Sequence, residues 1–213
     1  MEFRLHKERT TLLEFRLYKE RTTLLGFRLH KKRTIVIEIE QAKACSIFLG
    51  RKYEKYIQYL KEVEIKERGF TTVPNVEYAN HRKFVYGVIM EVNNINYFVP
   101  ISSYKKAQQD NLLIKIEDHK KYVVRGSMRF NYMIPVPKKC LIPVDFNGED
   151  FDEREKIMLR KEYKSCLHML SKAQKKAVKT YYRVNQGADE NLINNSCMFS
   201  VLERAYISYL DKV

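Results

Sequence analysis

Two apolar segments separated by a pair of asparagines constrain the fold more than any other feature of this sequence. Residues 83–92 read KFVYGVIMEV and residues 95–101 read INYFVPI, and both are rich in β-branched and aromatic side chains. Asn93 and Asn94 stand between them, and asparagine tolerates the backbone conformations that tight turns require. The sequence therefore predicts an antiparallel hairpin built from these two strands.

Helical periodicity lies on both sides of this hairpin. Apolar residues recur at three- and four-residue spacings over residues 51–67, 153–183 and 197–210, which predicts three amphipathic helices. The remaining segments are predicted as short strands at 112–117, 121–125, 127–134 and 140–144, and as loops or connectors at 70–82, 102–111 and 185–196. A helix followed by antiparallel strands and further helices makes α+β the predicted fold class.

The composition fits a folded domain with a strong positive charge. Of the 213 residues, 45% are hydrophobic, so the chain has enough apolar material for a core and lacks the signature of overall disorder. It carries 40 Lys and Arg against 26 Asp and Glu, a net charge of +14. An excess of this size favours a polyanionic partner, of which nucleic acid is the simplest.

The sequence offers no signal for a membrane or for export. No apolar stretch approaches the roughly 18 residues of a membrane span, and the first residues contain no apolar signal region. The four cysteines, Cys45, Cys140, Cys166 and Cys197, are scattered without a CxxC pair, which argues against a zinc site or a disulfide framework. These features predict a protein of the reducing cytoplasm.

The N-terminal region contains a tandem repeat. Residues 2–13, 14–25 and 26–37 are copies of a 12-residue unit, and the second and third match the first at 11 and 7 of 12 positions. Each substitution needs only one nucleotide change, so the repeat is either a recently duplicated basic tail or DNA with a 36-nucleotide period translated in frame. Residues 1–46 carry 11 basic and 6 acidic residues, a net +5, so the other +9 belongs to the predicted main domain at 47–213.

Hydroxyl and ammonium groups cluster where the second hairpin strand ends. Ser102 and Ser103 are followed by Lys105 and Lys106 on a polar loop. A serine can donate to a phosphate oxygen, and a lysine can offset the charge that develops during phosphoryl transfer. Serine and lysine are also common on solvated loops, so a phosphodiester site and an ordinary polar loop both remain open at this point.

Metal-dependent and nucleotide-hydrolysing chemistry find no support in the motifs. His81, His119 and His168 lie apart, without HxxxH or HExxH spacing, and no Walker or GxGxxG motif is present. The 15 tyrosines, interleaved with lysines, suit either stacking on unpaired bases or packing in a core that has no tryptophan. Metal and cofactor sites are therefore not predicted.

Four segments, taken in order, resemble the endoribonuclease toxins of type III toxin–antitoxin systems, the ToxN/AbiQ family. They are KYIQYLKE at 55–62, KFVYGVIMEVNNINYFVPISSYKK at 83–106, NYMIPVP at 131–137 and CMFSVLERAY at 197–206. The second segment is similar to the family's strand–turn–strand, which continues into a proline and a Thr/Ser-Ser-x-Lys stretch. Order and spacing match across residues 47–210.

The resemblance implies a compact domain with a strongly twisted antiparallel sheet flanked by helices, similar to MazF/Kid-type toxins. It implies metal-independent RNA cleavage, in which the 2′-hydroxyl attacks the adjacent phosphate and leaves a 2′,3′-cyclic phosphate and a 5′-hydroxyl. It also implies an RNA antitoxin of short tandem repeats, encoded directly upstream, that folds as pseudoknots and assembles with the toxin into closed rings. Such systems can abort phage infection.

The resemblance assigns catalytic roles to Ser103, Ser102, Lys83, Lys105 and Tyr56. The two serines would orient the scissile phosphate, and the two lysines would stabilise the additional negative charge. One of Lys83, Tyr56 or Ser103 would relay the proton from the 2′-hydroxyl. A catalytic lysine needs a lowered pKa, which neighbouring ammonium groups help to supply.

Three further residues, Tyr78, Arg82 and Lys106, are expected to contact RNA. Tyr78 departs by one residue from the family spacing, and Arg82 competes with Lys83 for the position of the lysine that opens the first strand. With the family in view, residues 1–37 are interpreted as translated antitoxin repeat DNA, so the true start is expected near residues 45–50. The alternative function is a non-catalytic RNA-binding regulator of the same fold.

Overall fold

The computed structural model describes residues 51–75, 86–141, 152–187 and 189–211. The predicted repeat-containing extension at 1–46 lies outside the described residues, and the interpretation of its repeats as translated antitoxin DNA stays a prediction. Residues 83–85, the first of the predicted hairpin, also lie outside them. Within the described residues, no helix has both the length and the apolar character of a membrane span.

The described residues form four helices, α1 (Arg51–Arg68), α2 (Glu153–Asn185), α3 (Glu190–Asn194) and α4 (Phe199–Leu210). A capping box begins α2: Asp152 accepts from the backbone N–H of Glu155, and the Glu155 side chain accepts from that of Asp152. The three predicted helices are confirmed. The short helix α3 lies in a segment predicted as a connector, because five residues are too few to show a helical period.

The described strands are β1 (Gly87–Val92), β2 (Ile95–Ser102), β3 (Asn111–Asp118), β4 (Lys121–Arg129) and β5 (Ile134–Pro135). They form one antiparallel sheet in the order β1–β2–β4–β3, with β5 paired to β2. Asn93 and Asn94 have φ of 51° and 62°, the left-handed conformations of a two-residue hairpin turn. The hairpin is therefore confirmed for the part of the prediction that the structure describes.

Strand β4 contains a bulge. Its pairing with β3 places Ile114 opposite Gly126 but Lys115 opposite Val124, which leaves Arg125 as the additional residue on β4. A bulge of this kind increases the local twist and changes the direction of the side chain that it carries.

The bulge explains an error in the predicted strands. The strands predicted at 121–125 and 127–134 are one strand as far as Arg129, because Gly126 stays paired with Ile114 directly after the bulge and does not end the strand. The chain then turns through a short 3-10 helix at Phe130–Tyr132. A glycine within an apolar run signals either a break or a bulge, and the sequence alone does not distinguish them.

The strand predicted at 140–144 is also wrong at its start. Cys140 ends a 3-10 turn, Lys138–Cys140, that begins directly after Pro137. A proline donates no backbone hydrogen bond, so it favours such a turn over continued pairing. Residues 142–144 lie outside the described residues.

The core lies between the sheet and the helices. Helix α2 packs against β1 and β3, while α4 packs against α1 and β5. The rings of Tyr97, Tyr181 and Phe199 meet there, with Tyr97 and Phe199 centroids 6.0 Å apart. The α+β class is confirmed, with a curled antiparallel sheet; the likeness to MazF/Kid-type toxins stays a prediction.

Candidate active site

A cleft of about 750 Å³ opens where β2 ends. One wall is the loop after α1, another is the end of β2, and a third is β4 with the turn that follows it. The described residues that line it are Thr71, Thr72, Val73, Pro74, Asn75, Tyr86, Pro100, Ile101, Ser102, Ser103, Arg125, Arg129, Tyr132 and Glu162. Both serines singled out from the sequence thus lie in a concave site.

The positions of Ser102 and Ser103 follow from the sheet. Ser102 is the last residue of β2, is half-buried and pairs with Ser127 on β4, whereas Ser103 is exposed just beyond the strand. Gly126 permits this close pairing, since a Cβ at that position would lie 2.3 Å from the carbonyl oxygen of Ser102. The backbone of β4 therefore approaches the serines to a distance that only glycine allows.

Hydrogen bonds fix the backbone directly after the serines. The Tyr104 N–H donates to Oγ of Ser102 over 3.4 Å, and the Ser127 hydroxyl donates to the Tyr104 carbonyl oxygen over 2.8 Å. At the far end of the loop, the Asn111 side chain makes two hydrogen bonds to loop backbone, both 2.9 Å long. These contacts hold Ser103 in place before any ligand binds, which lowers the entropic cost of binding.

Two guanidinium groups line the cleft. Arg125 stands on the bulge, and its half-exposed side chain places Nε 3.9 Å from Oε1 of Glu162 on α2. Arg129 lies over the rings of Tyr104 and Tyr132, 4.8 Å from each centroid. A guanidinium remains charged and presents planar N–H donors that match phosphate oxygens, so both groups suit an RNA backbone or base edge.

Glu162 connects two walls of the cleft. Its carboxylate accepts a 2.7 Å hydrogen bond from the hydroxyl of Tyr86, the residue just before β1. Burial of the phenol, reinforced by this carboxylate, raises the pKa of Tyr86 well above its ordinary value. Tyr86 therefore remains a hydrogen-bond donor, and Arg125 is held near Glu162 at a distance too long for a strong ion pair.

The loop after α1 is held by a buried carboxylate. Glu64 has no exposed surface, and its Oε2 accepts from the Thr71 hydroxyl over 2.6 Å and from the Thr72 N–H over 2.8 Å. Its Oε1 accepts from Arg68 over 2.8 Å and from the Met198 N–H over 2.7 Å. One side chain thus ties the cleft wall to α1 and to the start of α4.

The lysines predicted near the serines lie on the same loop but outside the cleft. Lys105 and Lys106 are exposed and neither lines the cavity. A lysine side chain is long and flexible, so an exposed ammonium group can reach a bound phosphate from the rim. Their predicted roles in catalysis and RNA binding stay predictions.

Tyr56 lies in the core. It is fully buried, and its hydroxyl donates to the carbonyl oxygen of Pro135 over 2.7 Å. Its ring contacts Tyr209 on α4, with centroids 4.7 Å apart. These contacts favour a packing role, and proton transfer by Tyr56 stays a prediction.

Three predicted site residues fall outside the described residues. They are Lys83, Arg82 and Tyr78. Tyr86, the first described residue after them, lines the cleft. The catalytic role of Lys83 and the RNA contacts of Arg82 and Tyr78 stay predictions.

Sequence reasoning missed the residues that β4 and α2 contribute. Arg125 and Arg129 lie in a segment predicted only as strand, and Glu162 lies in a segment predicted only as helix. The available signal was a pair of arginines four residues apart within the predicted strands. Among the described residues, no three His, Cys, Asp or Glu side chains lie close enough together to hold a metal ion.

Comparison with known proteins identifies a family and two related endoribonucleases. The family model described as "Toxin ToxN, type III toxin-antitoxin system" matches residues 51–207. The endoribonuclease AbiQ of Lactococcus lactis subsp. lactis is 27% identical over 172 residues, which cover 75% of this chain and 87% of AbiQ. The endoribonuclease ToxN of Bacillus thuringiensis subsp. kurstaki is 27% identical over 165 residues, which cover 74% of this chain and 81% of that ToxN.

Solved structures agree in fold. One comes from a study of selective toxin inhibition by a non-coding RNA pseudoknot in type III toxin–antitoxin systems. It aligns with a TM-score of 0.58 at 25% identity, and the alignment covers 73% of this chain and 93% of the solved chain. AbiQ, described as a lactococcal anti-phage endoribonuclease of a type III system, aligns with a TM-score of 0.60 at 23% identity. The alignment covers 78% of this chain and 96% of the AbiQ chain. The resemblance predicted from the sequence is therefore confirmed: the chain belongs to the ToxN toxin family of type III toxin–antitoxin systems.

Proposed function

We propose that this chain is an endoribonuclease toxin that cuts cellular RNA without a metal ion and is held inactive by an RNA antitoxin. Membership of the ToxN family and two relatives named as endoribonucleases support the enzyme class. The observation that carries the proposal is the cleft in which Ser102 and Ser103 stand with Arg125. These side chains supply hydroxyl donors and a fixed positive charge in one concave site.

The proposed reaction uses the RNA itself as the nucleophile. The 2′-oxygen attacks the adjacent phosphorus, the bond from phosphorus to the 5′-oxygen breaks, and the products are a 2′,3′-cyclic phosphate and a 5′-hydroxyl. The 2′-hydroxyl gives up its proton to a base, and the departing 5′-oxygen takes one up. The protein must hold the attacking and leaving oxygens in line and stabilise the charge that develops on the phosphate.

We propose that side chains of the cleft have the stabilising role. Ser103 and Ser102 donate to the phosphate oxygens, and Arg125, which lines the same cleft, offsets their charge. Lys105 adds a cation from the rim, and one of Lys83, Tyr56 or Ser103 relays the proton. Arg125 suits its role because its Nε lies 3.9 Å from Glu162 Oε1, beyond hydrogen-bond distance, which leaves its donors available to an incoming phosphate.

The proposed partner is an RNA antitoxin of tandem repeats of about 36 nucleotides, the coding length of each 12-residue copy within residues 2–37. A toxin of similar fold is inhibited by an RNA pseudoknot, and AbiQ is described as anti-phage. We infer that this chain acts in the cytoplasm, forms a closed ring with its RNA and aborts phage infection.

A growth assay tests the enzyme. The full chain is expressed with residues 2–37 recoded by synonymous codons, which removes the RNA repeat without changing the protein, and the natural repeat RNA is supplied separately. Growth arrest, cyclic phosphate ends that form in EDTA, and rescue by the repeat RNA are expected. Ser103→Ala should abolish arrest and cleavage but not RNA binding, whereas Ser208→Ala, an exposed serine on α4, should behave like the parent chain. RNA binding without any cleavage by the parent chain would favour the non-catalytic regulator.

A further inference from the structure

A carboxylate stands in the cleft that is proposed to bind phosphate. Glu162 on α2 lines the cleft together with Ser102 and Ser103, and its side chain is only 12% exposed. It is the only acidic residue among the described residues of the lining. A negative charge repels the RNA backbone, so this group opposes the binding of a phosphodiester unless it has a second effect. That effect is indicated by the two side chains that Glu162 contacts.

Glu162 contacts one side chain on each side of the end of β2. Its Oε2 accepts from the Tyr86 hydroxyl over 2.7 Å, and the Tyr86 carbonyl oxygen accepts from the N–H of Ile101, the residue before Ser102. Its Oε1 lies 3.9 Å from Nε of Arg125 on β4, the strand that pairs with Ser102. One carboxylate therefore faces the elements on both sides of the serines.

The carboxylate is fixed in place, whereas the guanidinium has room to move. One turn after Glu162, Cys166 is buried in the core, and the Ser165 hydroxyl donates to the Lys115 carbonyl oxygen over 2.8 Å. The side chain of Arg125 is 42% exposed, and among the described residues its only ion pair is the one with Glu162. At 3.9 Å the attraction restrains the guanidinium without a hydrogen bond at Nε that a phosphate would have to break.

We propose that Glu162 is a positioning residue for the cleavage reaction, which acts through its negative charge on Arg125. The carboxylate keeps the guanidinium at the cleft, so that its donors meet the phosphate as charge develops there. The same carboxylate opposes the binding of unreacted RNA, so its benefit appears in kcat and not in affinity. The inference rests on the proposed ribonuclease function and adds a residue to its machinery.

Two conservative variants separate the charge of this side chain from its shape. Glu162→Gln keeps the length and can still accept from Tyr86, but it loses the charge. Glu162→Asp keeps the charge but is one methylene shorter, and the attraction between charges tolerates that change better than a hydrogen bond does. The glutamine variant should lose kcat roughly tenfold or more without a rise in KM, and the aspartate variant should lose less. A purely structural role predicts the opposite order.

A double-mutant cycle tests whether Glu162 acts through Arg125. Arg125→Gln removes the guanidinium, so adding Glu162→Gln to that variant should change kcat less than about twofold. Glu117→Gln is the matched control, because Glu117 is exposed on β3 and does not line the cleft. It removes the same charge from the chain and should leave kcat and KM at the parent values.

Cleavage of one single-stranded RNA with a mapped cut site is measured with the full chain, and urea unfolding establishes that each variant is folded. The inference is overturned if Glu162→Gln keeps the parent kcat, with or without a change in KM, or if Glu162→Asp is the less active of the two. An equal effect of Glu162→Gln with and without Arg125 would overturn it as well. A parent chain that cuts no RNA would instead refute the ribonuclease function itself.

Discussion

Gly126 offers the sharpest test of how the fold positions the serines. Replacing it with alanine adds a Cβ that would lie 2.3 Å from the Ser102 carbonyl oxygen. Real contacts of this kind begin at 3.0 Å and are ordinary at 3.4 Å, so β4 and the end of β2 must separate by 0.7 to 1.1 Å (3.0 − 2.3 and 3.4 − 2.3). Among the described residues, the ladder between these strands consists of two residue pairs, Ile101 with Met128 and Ser102 with Ser127, so the added methyl group acts directly beside Ser102.

The displacement is large enough to affect catalysis more than stability. A misplacement of about 1 Å in a reacting group can reduce the rate about 100-fold, which corresponds to about 2.7 kcal/mol of transition-state stabilisation. Overpacking by one methyl group costs about 1–3 kcal/mol of folding free energy. A domain with a typical stability of about 5–15 kcal/mol stays folded after that loss.

The assay compares kcat/KM for RNA cleavage with the free energy of unfolding in urea. Gly187→Ala is the matched control, because Gly187 has φ of 72° and no atom near its missing Cβ. That variant should lose about 1–2 kcal/mol of stability through backbone strain but should cut RNA normally. The reasoning is refuted if Gly126→Ala retains cleavage within a few-fold of the parent chain, or if both alanine variants lose activity equally.

Two further outcomes are expected. The hydroxyl of Tyr97 donates to Glu203 over 2.7 Å, and burial together with this carboxylate raises the pKa of Tyr97 above its ordinary value of 10.0. Above pH 10 the unfolded chain therefore releases a proton that the folded chain keeps, so stability should fall with rising pH, by up to about 1.4 kcal/mol per pH unit for this group. Urea unfolding between pH 9 and 11 should show a shallower decline for Tyr97→Phe, and an unchanged decline would contradict the assignment. If Arg125 contacts a phosphate, Arg125→Gln should reduce the slope of log affinity for single-stranded RNA against log salt by about 0.7, whereas an unchanged slope would exclude that contact.

The sequence predicted elements whose signals are local. The Asn93–Asn94 turn identifies its hairpin because few residues tolerate positive φ, and the long helices show their apolar faces over several turns. The continuity of β4 could not be predicted in the same way. Gly126 serves a contact with Ser102, a residue 24 positions earlier (126 − 102), and no local pattern reports that contact.

In the candidate site, too, only the residues with a local sequence signal could be predicted. Ser102 and Ser103 could be found because they stand at the end of a predicted strand and match a family motif. Arg125 and Glu162 come from elements far apart in sequence, and they become neighbours only when α2 packs across the sheet. The bulge that directs Arg125 depends on pairing with β3, so its role required the structure.

Glu64 shows how a residue outside the cleft can govern its shape. Its carboxylate bonds the Thr72 N–H in the cleft wall and the Met198 N–H at the start of α4, so these two amides should be protected from exchange together. Glu64→Gln keeps the shape but loses the charge and points amide hydrogens at existing donors, which should cost about 3 kcal/mol or more. Hydrogen exchange should then quicken at both amides at once, and cleavage should weaken as the wall loosens. Glu67→Gln, an exposed neighbour on α1, should change neither property. Faster exchange at Thr72 with Met198 unaffected would show that the two elements are stabilised separately and that Glu64 does not couple them.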